Sequence, residues 1–170
     1  RMATVTRKTN VSCSLDEAWE ALSAFGEISG WATNVSHSCL LSPQQEGEGT
    51  CRRIQTGNSS VTEHVTKWEN SRYLVYEIRG LPPVFKNVTN SWTLEPSEVG
   101  VQLSLTVEII PIRRPATPIA GIASLIFGRI NSGMLKDLKN FLEITEPLKD
   151  FERQISLLHL RIDEMESRHE

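Results

Sequence analysis

From residue 101 to 110 every second residue is apolar: Val101, Leu103, Leu105, Val107 and Ile109 alternate with Gln102, Ser104, Thr106 and Glu108. Side chains alternate across an extended chain, so this segment predicts a strand with one buried face and one wet face. Five apolar stretches precede it, at residues 35–41, 50–55, 61–68, 73–78 and 84–94. The spacers Gly57-Asn58-Ser59 and Glu69-Asn70-Ser71 are short and polar, which suits hairpins and leaves no room for crossover helices. The sheet is therefore expected to be antiparallel. A further strand, residues 3–13, opens the chain with Val5 and Val11 among threonines.

Two regions carry helical spacing instead. Ser14 stands three places before Glu17, the signature of a capping box. Leu15, Ala18, Trp19, Leu22 and Phe25 then form one apolar stripe, which Gly26 ends, and residues 28–32 predict a second short helical turn. Pro115 and Pro118 open a long helical stretch from about residue 119 to 143. Its first half (Ile119, Ile122, Ala123, Leu125, Ile126, Phe127) is apolar nearly all round, which predicts cover on most sides. A sheet curling around the helix supplies that cover, and the fold class is α+β.

The tail has a different period. Phe141, Ile144, Leu148, Phe151, Ile155, Leu158, Ile162 and Met165 follow a strict 3,4 spacing, the seam of a coiled coil. Pro147 interrupts it and marks a kink or a new helix start. The reading is a domain at 1–146 and an amphipathic heptad helix at 147–170. That helix either folds back on its own domain or forms a homodimer through Phe151, Ile155, Leu158, Ile162 and Met165. Three heptads are marginal alone, so some partner surface is expected.

Composition narrows the function classes. At 170 residues, with 39% hydrophobic and 23% charged residues, the chain reads as one globular domain with a real core. A net charge of −3 provides no basic footprint, so nucleic acid is not an expected partner. Cys13, Cys39 and Cys51 are odd in number and lack CxxC spacing, which argues against a disulfide framework and a zinc site. No apolar run approaches 18 residues, so no membrane insertion is expected. The four Asn-x-Ser/Thr matches, at Asn10, Asn34, Asn58 and Asn87, then read as chance in a cytoplasmic protein. GxSxG, HExxH, P-loop and GxGxxG motifs are absent, and nothing calls for a metal or cofactor.

The order strand, two short helices, six strands and long helix resembles the helix-grip fold of the START/SRPBCC superfamily. Local stretches are similar to its polyketide cyclase/dehydrase and lipid-transport branch. They include Ser14-Leu15-Asp16-Glu17-Ala18-Trp19, Phe25-Gly26-Glu27-Ile28-Ser29-Gly30-Trp31-Ala32 and Gly49-Thr50-Cys51-Arg52-Arg53. Further on stand Glu63-His64-Val65-Thr66-Lys67-Trp68, Arg72-Tyr73-Leu74-Val75-Tyr76-Glu77 and Ser91-Trp92-Thr93-Leu94-Glu95-Pro96. The resemblance covers roughly residues 3–143. It implies about seven strands wrapped around the helix, with a cavity for a hydrophobic small molecule between them.

Hairpin geometry singles out one pair. A loop centred on Gly57-Asn58 sets Ile54 opposite Val61 and Arg52 opposite Glu63. Residues two apart share a face, so the apolar pair carries Arg52 and Glu63 inward with it. They form either a structural ion pair or a polar anchor and acid/base pair for a ligand. Tyr76 shares a face with Leu74 and Ile78, and Trp92 with Asn90 and Leu94, as pocket wall or plain core. Trp31 belongs at the cavity mouth or in the core. His37 is a candidate for facing the pocket with Val35 and Cys39, or for a structural role, and His64 reads as structural. The apolar loop Leu81-Pro82-Pro83-Val84-Phe85 suggests a ligand lip, or simple loop packing.

The leading expectation is a carrier of an apolar lipid, polyketide or isoprenoid-like molecule, oriented by Arg52, Glu63, Asn90 or Tyr76. The alternative is a cyclase or dehydratase with Glu63 or His37 as base and Arg52 stabilising enolate charge. A third reading is an interaction module dimerised by its tail.

Overall fold

The computed structural model describes residues 2–112 and 117–169, with the side chains of 117–120, 145 and 146 left outside the description. Seven strands, β1 (Ala3–Val11), β2 (His37–Leu40), β3 (Cys51–Thr56), β4 (Ser59–Glu69), β5 (Tyr73–Arg79), β6 (Phe85–Ser97) and β7 (Gly100–Pro111), form one antiparallel sheet. Its order is β1-β7-β6-β5-β4-β3-β2, so every neighbour from β2 to β7 is a sequential hairpin. The long helix α2 (Thr117–Ser167) packs across β1 and β7, and α1 (Leu15–Ser23) with a 3-10 turn (Phe25–Gly30) follows β1. This is the α+β helix-grip arrangement. Pro115 lies outside the described residues, as do the side chains of Pro118 and Ile119.

The alternation in β7 does its predicted work: Val101, Leu103, Leu105, Val107 and Ile109 are fully buried. Against them α2 turns Asn131, Met134, Leu135, Leu138 and Leu142, at the 3,4 spacing of one helical face. At the β6–β7 turn Gly100 has φ +146°, and a Cβ there would lie 2.5 Å from the Cys13 carbonyl oxygen. Only glycine lets β1 and β7 close at that point.

Ser14 Oγ accepts a hydrogen bond from the Glu17 backbone N–H at 3.1 Å, the cap half of the predicted box. Ser14→Ala is expected to cost about 1 kcal/mol in urea unfolding, because it leaves that first-turn donor without its acceptor. The helix stops at Ser23, and Ala24 (ψ 67°) turns the chain so that Phe25 opens the 3-10 segment, fully buried.

Two expectations change. The first half of α2 is covered on one side only: Ala123 is buried, while Ile122, Leu125, Ile126 and Ile130 are exposed. The sheet meets one face of a helix, and sequence periodicity does not say how far it wraps around. The second concerns Pro147, which lies inside α2 and does not start a new helix. From residue 147 to its end at Ser167 the helix is exposed throughout, so it does not fold back on its own domain.

Candidate functional site

The interior between sheet and helix holds a cluster of polar side chains. Arg52 and Glu63 are Cα partners across β3 and β4, in the register the Gly57-Asn58 turn predicts. Both are only 3% exposed. Arg52 Nε donates to Glu63 Oε1 at 2.8 Å, and Arg52 Nη1 donates to the Phe25 carbonyl at 2.9 Å. The guanidinium lies 3.7 Å from the Phe25 ring centroid and 4.9 Å from that of Tyr76. A buried charge is tolerable only when paired and hydrogen-bonded, and here ion pair, carbonyl and two ring faces share that task. The same bond to Phe25 ties the 3-10 turn down onto the sheet.

Tyr76 is the hub beside this pair. Its hydroxyl accepts from Trp92 Nε1 at 3.3 Å and from Asn90 Nδ2 at 3.4 Å. Asn131, from α2, donates to Asn90 Oδ1 at 3.2 Å and so links helix to sheet. With both lone pairs of the phenol used, its own proton is left over, and among the described residues none accepts it. Burial, and next the Glu63 charge, push the Tyr76 phenol up to about 12. Tyr76 is thus a neutral donor across the physiological range and no base.

Asn131 escaped the sequence reading, although a signal was present. It falls on the stripe of Met134, Leu135, Leu138 and Leu142, where a lone amide interrupts an apolar helix face. Also unforeseen is a bulge in β4 between Val65 and Lys67, which turns both Val65 and Trp68 toward the core.

His37 does not join the cluster. It is exposed on the outer face of β2 along with Cys39, so the expectation that it faces a pocket is corrected. The register pairs Leu40 with the inward Arg52 and Ser38 with Ile54, which sends His37 and Cys39 outward. Val35 is buried but precedes β2, so its parity does not carry into the strand. His64 likewise faces out, with Nε2 3.0 Å from Thr62 Oγ1 and 3.8 Å from Cys51 Sγ. Burial pushes its imidazole below the ordinary value and raises the Cys51 thiol, so the pair is neutral at pH 7. Among the described residues, no three metal-ligating side chains come together.

The remaining candidates occupy the borders of the interior. Trp31 is buried, stands edge-on to Trp92 at 6.1 Å, and lines a groove of about 510 Å³. That groove is walled by Ala21 of α1, Ala24 just after it, Phe141 and Leu142 of α2, and carboxylates including Glu17. Phe85 stands at the other end, edge-on to Phe127 at 6.2 Å, and lines a second groove of about 520 Å³ with Leu81. Arg52, Glu63, Tyr76, Asn90 and Trp92 line neither groove. The interior is thus closed over its polar cluster, with Trp31 as the wall between cluster and groove.

The fold recurs among solved structures. The Zhui aromatase/cyclase from Streptomyces sp. R1128 superposes with a TM-score of 0.70 at 15% identity, over 84% of this chain and 94% of that one. Ara h 8.0201 gives 0.70 at 12% identity, over 84% and 98%. The di-domain ARO/CYC StfQ of steffimycin biosynthesis gives 0.68 at 16% identity, over 85% of this chain and 51% of that one. At these identities the likeness is one of fold. No curated protein matches the chain. The family model described as polyketide cyclase/dehydrase and lipid transport matches residues 2–143, and with most of its length covered the chain belongs to that family.

Proposed function

We propose that the protein binds an apolar small molecule carrying a carbonyl or hydroxyl oxygen, held between sheet and helix with that oxygen on the Tyr76 proton. The unspent donor of a fully buried phenol carries the reading. Arg52 supports it, because its Nη2 group makes no hydrogen bond to the described protein. A core needing only stability is served as well or better by apolar residues than by an ion pair, an asparagine pair and a phenol. The ligand enters from the groove on the α1 side by displacing Trp31 from Trp92. Its affinity comes from apolar burial at about 25 cal/mol per Å².

The four tryptophans supply an internal control. Trp31 and Trp92 border the proposed path, whereas Trp19 and Trp68 meet edge to face at 5.2 Å and Trp68 Nε1 donates to Asn70. In an NMR titration with a long-chain fatty acid and with an anthraquinone, the Trp31 and Trp92 indole N–H resonances are expected to shift. Trp19 and Trp68 should stay in place. Shifts confined to Trp19 and Trp68, or none with either probe, would overturn the assignment.

A cyclase or dehydratase acting on a poly-β-ketone is the second reading, favoured by a buried guanidinium packed against the Tyr76 ring, a charge that would stabilise an enolate oxygen. Glu63 is then the base within reach and His37 is excluded by its exposure. Glu63→Gln separates the two: a carrier loses little affinity, whereas an acid/base enzyme loses about two orders of turnover.

A further inference from the structure

Beyond the packed domain, α2 presents Ile144, Leu148, Phe151, Ile155, Leu158, Ile162 and Met165 to solvent, every one exposed. In heptad terms Leu148, Ile155 and Ile162 occupy a, and Ile144, Phe151, Leu158 and Met165 occupy d. We infer that this seam pairs with the same seam of a second copy, in a parallel and in-register two-stranded coiled coil.

The direction the seam faces allows it. Leu142 is buried against the domain and Lys149 Nζ lies 4.0 Å from Glu17 Oε2, so the b positions mark the side that faces the chain's own body. At 100° per residue the centre of the a/d seam lies about 130° around the helix from b. The seam therefore points away from the domain that carries it, and its own chain offers no cover. Seven apolar side chains line the seam, and its central layers, Ile155 and Ile162 at a flanking Leu158 at d, have the residue types that suit two parallel strands. Leu148 at a and Ile144, Phe151 and Met165 at d do not add to that preference.

Charge selects the orientation. The e positions are Glu152, His159 and Glu166, and the g positions after Pro147 are Gln154, Arg161 and Arg168. A parallel pair sets g against the e five residues later on the other strand, which brings Arg161 to Glu166 of the second copy twice over. An antiparallel pair would set g against g and e against e, arginine facing arginine and glutamate facing glutamate. Like charges across a seam oppose pairing. Leu157 and Leu160 lie at c and f and stay outside the interface.

Three heptads give a weak dimer, with dissociation expected near about 10 µM in sedimentation equilibrium of the full chain. Leu158→Asp should leave a monomer at all concentrations while the Trp92 indole resonance stays in place, because residue 158 is far outside the packed core. Arg161→Glu should weaken association about tenfold, and Arg161→Glu with Glu166→Arg should restore it. Leu158→Cys should give a dimer cross-linked through residue 158, and not through the exposed Cys39, under mild oxidation, since parallel, in-register strands bring that position onto itself. A chain monomeric to about 100 µM, a charge swap that fails to rescue, or a Leu158→Cys chain that stays unlinked would each overturn the inference.

Discussion

Arg52→Met is expected to destabilise the protein by about 3–5 kcal/mol in urea unfolding, more than any surface change and comparable to a large core cavity. The substitution keeps the side chain's length between the Phe25 and Tyr76 rings but strands Glu63, itself 3% exposed, as an unpaired carboxylate. It also leaves the Phe25 carbonyl without its donor, which loosens the 3-10 turn. The double variant Arg52→Met, Glu63→Leu should recover most of the loss, because no charge is then left buried. Recovery would identify the pair as dispensable for folding, which is what the ligand-anchor reading requires. A double variant as unstable as the single one would instead make the pair structural.

Tyr76→Phe has two effects of opposite sign at different pH. Near neutrality it removes the acceptor of Trp92 Nε1 and Asn90 Nδ2, both of which are buried. Their bonds are long, so the expected cost lies at the low end of the range for orphaned donors, about 2 kcal/mol in all. At high pH the same substitution protects. The phenol is held at about 12 in the folded chain against an ordinary value near 10, so its proton is bound more tightly in the native state. That stabilisation is complete below pH 10 and is lost as pH rises toward 12, by about 3 kcal/mol. Urea midpoints measured from pH 9 to 12 should fall more steeply for the parent chain than for Tyr76→Phe. Parallel curves would contradict the hub role. On the binding side, loss of the phenolic proton should weaken an oxygen-bearing apolar ligand about tenfold.

How much of this was legible in the sequence varied with what sets each feature. The Arg52–Glu63 pairing was readable because a two-residue glycine turn fixes register, and register fixes which residues face in. Tyr76, Asn90 and Trp92 followed from strict alternation inside long strands. The pocket-facing alternative for His37 failed because it grouped the histidine with Val35, which lies before the strand begins. The β4 bulge at 65–67 has no local signature strong enough to foresee. Asn131 was hidden because its partner, Asn90, is 41 residues away and on another element. The exposed flank of α2 at Ile122, Leu125, Ile126 and Ile130 could not be inferred, since an all-round apolar helix does not say which neighbour is missing. The closed interior depends on how Phe25, Trp31 and Trp92 interlock, which periodicity does not encode.

Native mass spectrometry of the protein purified from its own host decides whether the interior takes up a ligand. One apolar, oxygen-bearing molecule per chain is expected, released on denaturation and depleted in Tyr76→Phe. Bare chain alone, both as purified and after incubation with a lipid extract of the same cells, would contradict it.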